Sequence, residues 1–119
     1  MATQVLIVDD HASFRRLAGR VLARAGFEVV GEAADAASAL REVEVLEPDV
    51  VLLDVMLPDR SGLEVARELA LGPRPPRVVL TSSRSRSDFG PAFEWPRGCD
   101  FIPKHQLSGP ELTALLEEP

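Results

Sequence analysis

One stretch limits the folds open to this chain more than any other: Val50-Val51-Leu52-Leu53-Asp54, entered through Pro48-Asp49. It is apolar at odd and even positions alike, so a strand made from it has no face to turn to water. Such strands lie in the middle of parallel sheets covered by helices on both sides. The run ends on a carboxylate, with Met56, Leu57 and Pro58 just beyond. Burying an acid at a strand end is unfavourable unless something there answers its charge. Asp54 is therefore the first candidate for a working pocket.

The rest of the chain supplies partners for that strand. Val5 to Val8 is a second apolar run and is followed at once by Asp9-Asp10. Phe14, Leu17, Ala18, Val21 and Leu22 then recur at helical spacing, with Arg15, Arg16, Arg20 and Arg24 off the stripe on what reads as a solvated face. Gly26 stops this helix, and Phe27 to Gly31 predicts a strand. A helix opening at Asp35 or Ala36 carries Leu40, Val43 and Leu46 and closes at Glu47-Pro48. After the central strand come a turn over Pro58 to Gly62, a helix with Leu63, Ala66, Leu69 and Ala70, and a stiff connector, Gly72 to Pro76. Arg77 to Leu80 predicts the fourth strand, ending in Thr81-Ser82-Ser83, and Phe101-Ile102-Pro103 the fifth, followed by Lys104. Leu112, Leu115 and Leu116 mark a closing helix with Ser108 as N-cap and Pro110 in its first turn.

Alternating strands and helices imply an α/β fold, a doubly wound five-stranded parallel sheet with right-handed crossovers, as one domain over residues 1–119. One interval breaks the rhythm. A fourth helix is due between Ser83 and Gly98, yet Gly90-Pro91 and Pro96 leave room for a turn or two, so a short or broken element around Phe89 to Trp95 is expected. Phe93 and Trp95 read as packing residues, and the interval as mobile.

Composition narrows the function. The 19 acidic against 13 basic residues argue against direct contact of this domain with nucleic acid. No run is long enough to span a membrane, and the start has no signal-type pattern, which points to the cytoplasm. The single cysteine, Cys99, excludes an internal disulfide and reads as a small buried hydrophobe.

In parallel sheets ligands bind at the carboxyl ends of the strands. Four strands here end on Asp9-Asp10, Asp54, Thr81-Ser82 and Lys104, whereas the second ends on Gly31-Glu32, which stays out of the site. Carboxylates brought to about 4 Å repel by roughly 4 kcal/mol per pair at an effective dielectric near 20. A hard divalent cation such as Mg²⁺, held by oxygen ligands, relieves that repulsion. A carboxylate beside such an ion can attack a phosphoryl group, while a lysine and a hydroxyl take the phosphoryl oxygens. His11 reads as a helix-start residue in preference to a ligand.

Together, the acidic pair Asp9-Asp10, Asp54 with Pro58 and Gly62 four and eight residues later, Thr81, Phe101 and Lys104 resemble a response-regulator receiver domain, from about Val5 to Leu116. The resemblance implies a flavodoxin-like sheet of order 2-1-3-4-5. It implies that Asp54 accepts a phosphoryl group from a histidine kinase, that Mg²⁺ is held by Asp9, Asp10, Asp54 and the Met56 carbonyl, and that Lys104 and Thr81 bind phosphoryl oxygens. Thr81 and Phe101 would carry the switch to the output face, with a homodimer on phosphorylation as one outcome. Asp9-Asp10-His11 and Val30-Gly31-Glu32-Ala33 resemble the subfamily whose receivers precede a helix-turn-helix DNA-binding domain, which implies transcription control. Such a domain catalyses only its own phosphotransfer and slow dephosphorylation. Two departures concern the output side: Arg97-Gly98-Cys99-Asp100 stands where the family commonly has Gly-Ala-x-Gly, and Pro103 precedes Lys104 where many members place proline after it. A phosphorylation-independent interaction module is the alternative. A phosphatase is disfavoured because Val55-Met56 replaces the Asp-x-Asp pattern.

Overall fold

The two apolar faces of the Val50–Asp54 run are met by two separate cores. The computed structural model describes residues 2–90 and 93–117. Strands β1 (Gln4–Val8), β2 (Glu28–Ala33), β3 (Val50–Asp54), β4 (Arg77–Ser82) and β5 (Cys99–Pro103) form one parallel sheet in the order β2-β1-β3-β4-β5. The expected fold class and strand order are both observed. Helices α1 (Ala12–Arg24), α2 (Ala36–Leu46), α3 (Gly62–Ala70) and α4 (Gly109–Glu117) cover the sheet.

Strand alternation sorts the core. Leu6, Val8, Val51, Leu53, Val78 and Leu80 pack with Ala36 and Ala39 of α2 and Val65 and Ala66 of α3. Their neighbours Val5, Ile7, Val50, Leu52 and Val79 pack with Ala18 and Leu22 of α1 and Leu112 of α4. Each fully buried Val or Leu contributes about 2 kcal/mol of transfer free energy, and every residue of β3 is buried, Asp54 included.

The helix ends follow local chemistry. Asp35 caps α2 by accepting from Ser38 N at 2.8 Å, and Ser61 and Ser108 accept from Leu63 N and Glu111 N at 3.1 Å each. Glu47 ends α2 in the left-handed region (φ 47°), where Pro48 then prevents continuation. Arg77 donates to the Leu115 and Leu116 carbonyls and to Asp100, tying the end of α4 to the sheet. β2 continues to Ala33, β4 continues to Ser82 and β5 begins at Cys99, each beyond its apolar pattern, because each pairs along a neighbour over five register positions. Among the described residues no helix is long and apolar enough to cross a membrane.

Among its described residues the β4–β5 interval holds no regular helix, in keeping with its glycine and prolines. One four-residue 3₁₀ turn, Arg86–Phe89, is closed by Gly90 at φ 82°. It lies earlier than the expected Phe89 to Trp95, because Ser85 and Asp88 form a reciprocal capping box that starts it. Pro91 and Ala92, inside the expected element, lie outside the described residues. Phe89, Phe93, Trp95 and Phe101 pack edge to face or tilted, with centroids 4.8–6.0 Å apart. The Arg86 guanidinium sits 4.9 Å from the centre of the Trp95 ring. Phe89, Trp95, Cys99 and Phe101 close the same side of the sheet as α2 and α3. Cys99 is only partly buried, and that burial pushes its thiol pKa up.

Candidate functional site

Parallel register brings the strand ends together. Asp54 of β3 is directly opposite Thr81 of β4, and Thr81 is opposite Ile102 of β5, two residues before Lys104. Asp9 follows β1, and its amide donates to Ala33 O at 3.0 Å, so the acid is held against the end of β2. Asp9 and Thr81 are fully buried and Asp54 nearly so, while Asp10 is exposed.

Lys104 ties the two buried acids. Its Nζ lies 2.7 Å from Asp9 Oδ2 and 3.2 Å from Asp54 Oδ2, with the Phe14 ring below it at 4.8 Å. The contact to Asp9 sets the ammonium directly on the buried Oδ2. The other carboxylate oxygens are held locally: Asp9 Oδ1 accepts from His11 N at 2.8 Å and Asp54 Oδ1 from Met56 N at 3.1 Å.

Burial raises the Asp54 pKa, and Asp9 adds to the effect against the Met56 amide and Lys104. For Lys104, burial acts against the charge, but its contacts with Asp9 and Asp54 outweigh burial and hold the ammonium above its usual pKa. Thr81 Oγ1 is buried with no hydrogen-bond partner among the described residues. A buried hydroxyl left unpaired loses about 1–3 kcal/mol, so this one is suited to an acceptor that arrives.

Donor atoms of Asp9, Asp10, His11 and Asp54 all lie within 4.8 Å of one another. This oxygen-rich set fits a hard divalent cation. The structure thus gathers Asp9, Asp10, Asp54, Thr81 and Lys104 as the sequence implies. Phe101 lies apart from them, in the aromatic cluster.

The Met56 backbone meets the site through its amide, which donates to Asp54 Oδ1, while its side chain is 68 % exposed. The loop turns back through a Met56–Ser61 bridge and a 2.7 Å bond from Gly62 N to Val55 O. A Cβ at position 62 would collide with the Asp54 carbonyl, so the glycine is required by close approach.

Three residues escaped sequence reasoning. Arg15, assigned to the solvated face of α1, donates to Asp9 O at 2.6 Å and to Glu32 at 2.9 Å, steadying the acidic corner. Asp59 accepts from Ala36 N and Ala37 N at 2.8 and 3.0 Å, so the loop after Asp54 also caps α2. His11 does begin α1, yet its ring turns to the acids. The one hint was distance from the apolar stripe, which does not say what a side chain reaches. A groove of about 630 Å³ lies at the opposite ends of the strands beside Pro48, Pro75 and Pro76 and holds none of this chemistry.

The model of the response regulator receiver domain family matches residues 5–117. The chain belongs to that family. This receiver superposes on the signal receiver domain of the putative response regulator NarL from Mycobacterium tuberculosis with a TM-score of 0.82 at 31 % identity, covering 98 % of this chain and 94 % of that one. The response regulator domain of Thermotoga maritima CheB gives 0.84 at 29 %, covering 99 % and 96 %. In sequence the receiver is 40 % identical over 83 residues to the transcriptional regulatory protein PdtaR of M. tuberculosis, covering 70 % of this chain and 40 % of that protein. It is 48 % identical over 81 residues to a protein-glutamate methylesterase/protein-glutamine glutaminase of Myxococcus xanthus, covering 67 % of this chain and 23 % of that protein. The receiver thus spans well under two thirds of the length of these two relatives.

Proposed function

We propose that this receiver is a phosphorylation switch in which Asp54 takes a phosphoryl group from the phosphohistidine of a histidine kinase. The observation that carries the reading is the buried Thr81 hydroxyl, without a hydrogen-bond partner among the described residues and set beside Asp54 in register, at the strand ends where Lys104 meets Asp54. In the transfer, a bond forms from an Asp54 carboxylate oxygen to phosphorus as the donor's nitrogen–phosphorus bond breaks, and the leaving imidazole keeps the electron pair and takes up a proton.

Asp9, Asp10, Asp54 and the Met56 carbonyl would hold Mg²⁺, which when bound supplies positive charge to the phosphoryl oxygens. Lys104, already between Asp9 and Asp54, adds its ammonium, and Thr81 donates its hydroxyl. The Met56 amide, bound to Asp54 Oδ1, orients the carboxylate. Slow hydrolysis at phosphorus returns the free acid.

Movement of Thr81 toward the phosphoryl group opens space next to β5, and Phe101 carries the change into the aromatic cluster. The output we assign is transcription control in the cytoplasm through a DNA-binding region outside these residues, with dimerisation on phosphorylation. The relatives include proteins named as transcriptional and DNA-binding regulators, which supports that output. A second reading, a phosphorylation-independent interaction module, is favoured by one observation: Phe101 is already engaged by Phe89 and Trp95.

Incubation with a small-molecule phosphodonor and Mg²⁺ separates the two. Intact mass should show one added phosphoryl group on the wild type and none on Asp54→Asn. No addition to the wild type, or equal addition to both, rejects the switch.

A further inference from the structure

The His11 side chain does no work for the helix it begins. It stands at the N-cap of α1, where a polar side chain ordinarily accepts from a first-turn amide, and makes no capping bond. Its ring turns instead to the acids: Nδ1 is 3.2 Å from Asp9 Oδ1 and 3.1 Å from Asp10 Oδ1. Two donors at adjacent vertices of an octahedral ion with bonds of ~2.1 Å stand ~3 Å apart. His11 Nδ1 therefore has the spacing of a co-ligand to both carboxylates, and Asp54 completes a donor group spanning no more than 4.8 Å. Asp9, the acid that His11 and Lys104 share, is fully buried, with its Oδ1 turned to His11 and its Oδ2 on the Lys104 ammonium at 2.7 Å.

The choice of donor matters for the ion. Magnesium takes oxygen and dehydrates reluctantly, whereas imidazole is a preferred ligand of borderline first-row ions. We infer that His11 is a fourth side-chain ligand of the cation site, through Nδ1, and shifts its selectivity from Mg²⁺ toward ions such as Co²⁺, Mn²⁺ and Zn²⁺. This rests on the reading of the acidic corner as a divalent-cation site. The neutral ring ligates through Nδ1 with its proton on Nε2. Exposure of the ring, 66 % in the absence of an ion, leaves it free to make the small adjustment that ligation needs. The same receiver then responds to the identity of the ion available as well as to phosphorylation.

The test uses the whole chain with Mn²⁺ and Co²⁺ as probes. Pulsed electron paramagnetic resonance of the Mn²⁺-loaded protein should show a directly coordinated imidazole nitrogen that disappears in His11→Asn. The ratio of Co²⁺ to Mg²⁺ affinity, from equilibrium titration, should fall at least about tenfold in that variant, a change of 1.4 kcal/mol. Asp10→Ala should weaken both ions. A wild-type spectrum without imidazole nitrogen, or an equal loss of both affinities in His11→Asn, overturns the ligand role while leaving the Mg²⁺ switch standing. Failure of every divalent ion to bind overturns both.

Discussion

The loops leaving β3 and β4 emerge side by side at the functional edge, and they are held by different forces. After β3, hydrogen bonds fix the chain: Met56 N to Asp54, Gly62 N to Val55, and caps from Asp59 and Ser61 to two different helices. After β4, the described residues hold one 3₁₀ turn, and four aromatic rings pack on one another, with Phe89, Trp95 and Phe101 also against the core of the sheet. Hydrogen bonds hold direction and distance, which a phosphoacceptor needs. Ring packing is large but non-directional, so it can rearrange at modest cost, which suits an output surface. The difference teaches that directional bonds hold the acidic end of the sheet, whereas ring packing holds the β4–β5 interval.

The sharpest way to break the contrast is Gly62→Ala. The new Cβ meets backbone that cannot yield, so destabilisation of about 3 kcal/mol is expected in urea unfolding, along with slower phosphorylation of Asp54. If stability is unchanged, the first loop is less rigid than its bonds imply. Trp95→Ala should have a smaller effect, about 2 kcal/mol, because the ring is only partly buried. It should raise amide exchange across residues 84–98 and leave phosphorylation of Asp54 intact. Loss of phosphorylation would show that the two loops are one unit.

The smallest effect concerns charge. Burial first, then Asp9, raises the Asp54 pKa, so the folded protein holds that proton more tightly than the unfolded chain. Stability therefore falls as pH rises from the ordinary 3.8 through the raised folded value, and the loss persists at neutral pH. In Mg²⁺-free buffer Asp54→Asn should raise the melting temperature at pH 7 by on the order of a few degrees, with the gain shrinking below pH 3.8. A gain that does not vary with pH would assign the effect to something other than the carboxylate charge.

Most of the site was legible because strand ends are legible. A double-faced apolar run places its last residue at the sheet edge, and parallel pairing then collects Asp9, Asp54, Thr81 and Lys104 without knowledge of any side-chain angle. The start of β5 was less visible: Cys99 and Asp100 extend the strand because β4 offers them partners, not because their own pattern asks for it. Arg15 and Asp59 were hidden for a related reason. Each reaches across space, Arg15 to Glu32 and Asp59 to a helix start 23 residues earlier in the chain, and periodicity reports only which face a residue occupies.

By itself, then, the sequence determined the sheet, the layers and the edge on which the acids, hydroxyl and lysine gather. Those depend on local apolar period and on the directions that strands and helices impose. The tertiary structure alone decided that Thr81 has no hydrogen-bond partner among the described residues, that Lys104 spans two acids, that the His11 ring faces them, and that Phe89, Phe93, Trp95 and Phe101 pack together. Each of these is a distance between residues far apart in the chain or a side-chain direction. Such quantities are set only when every element has been packed against the others.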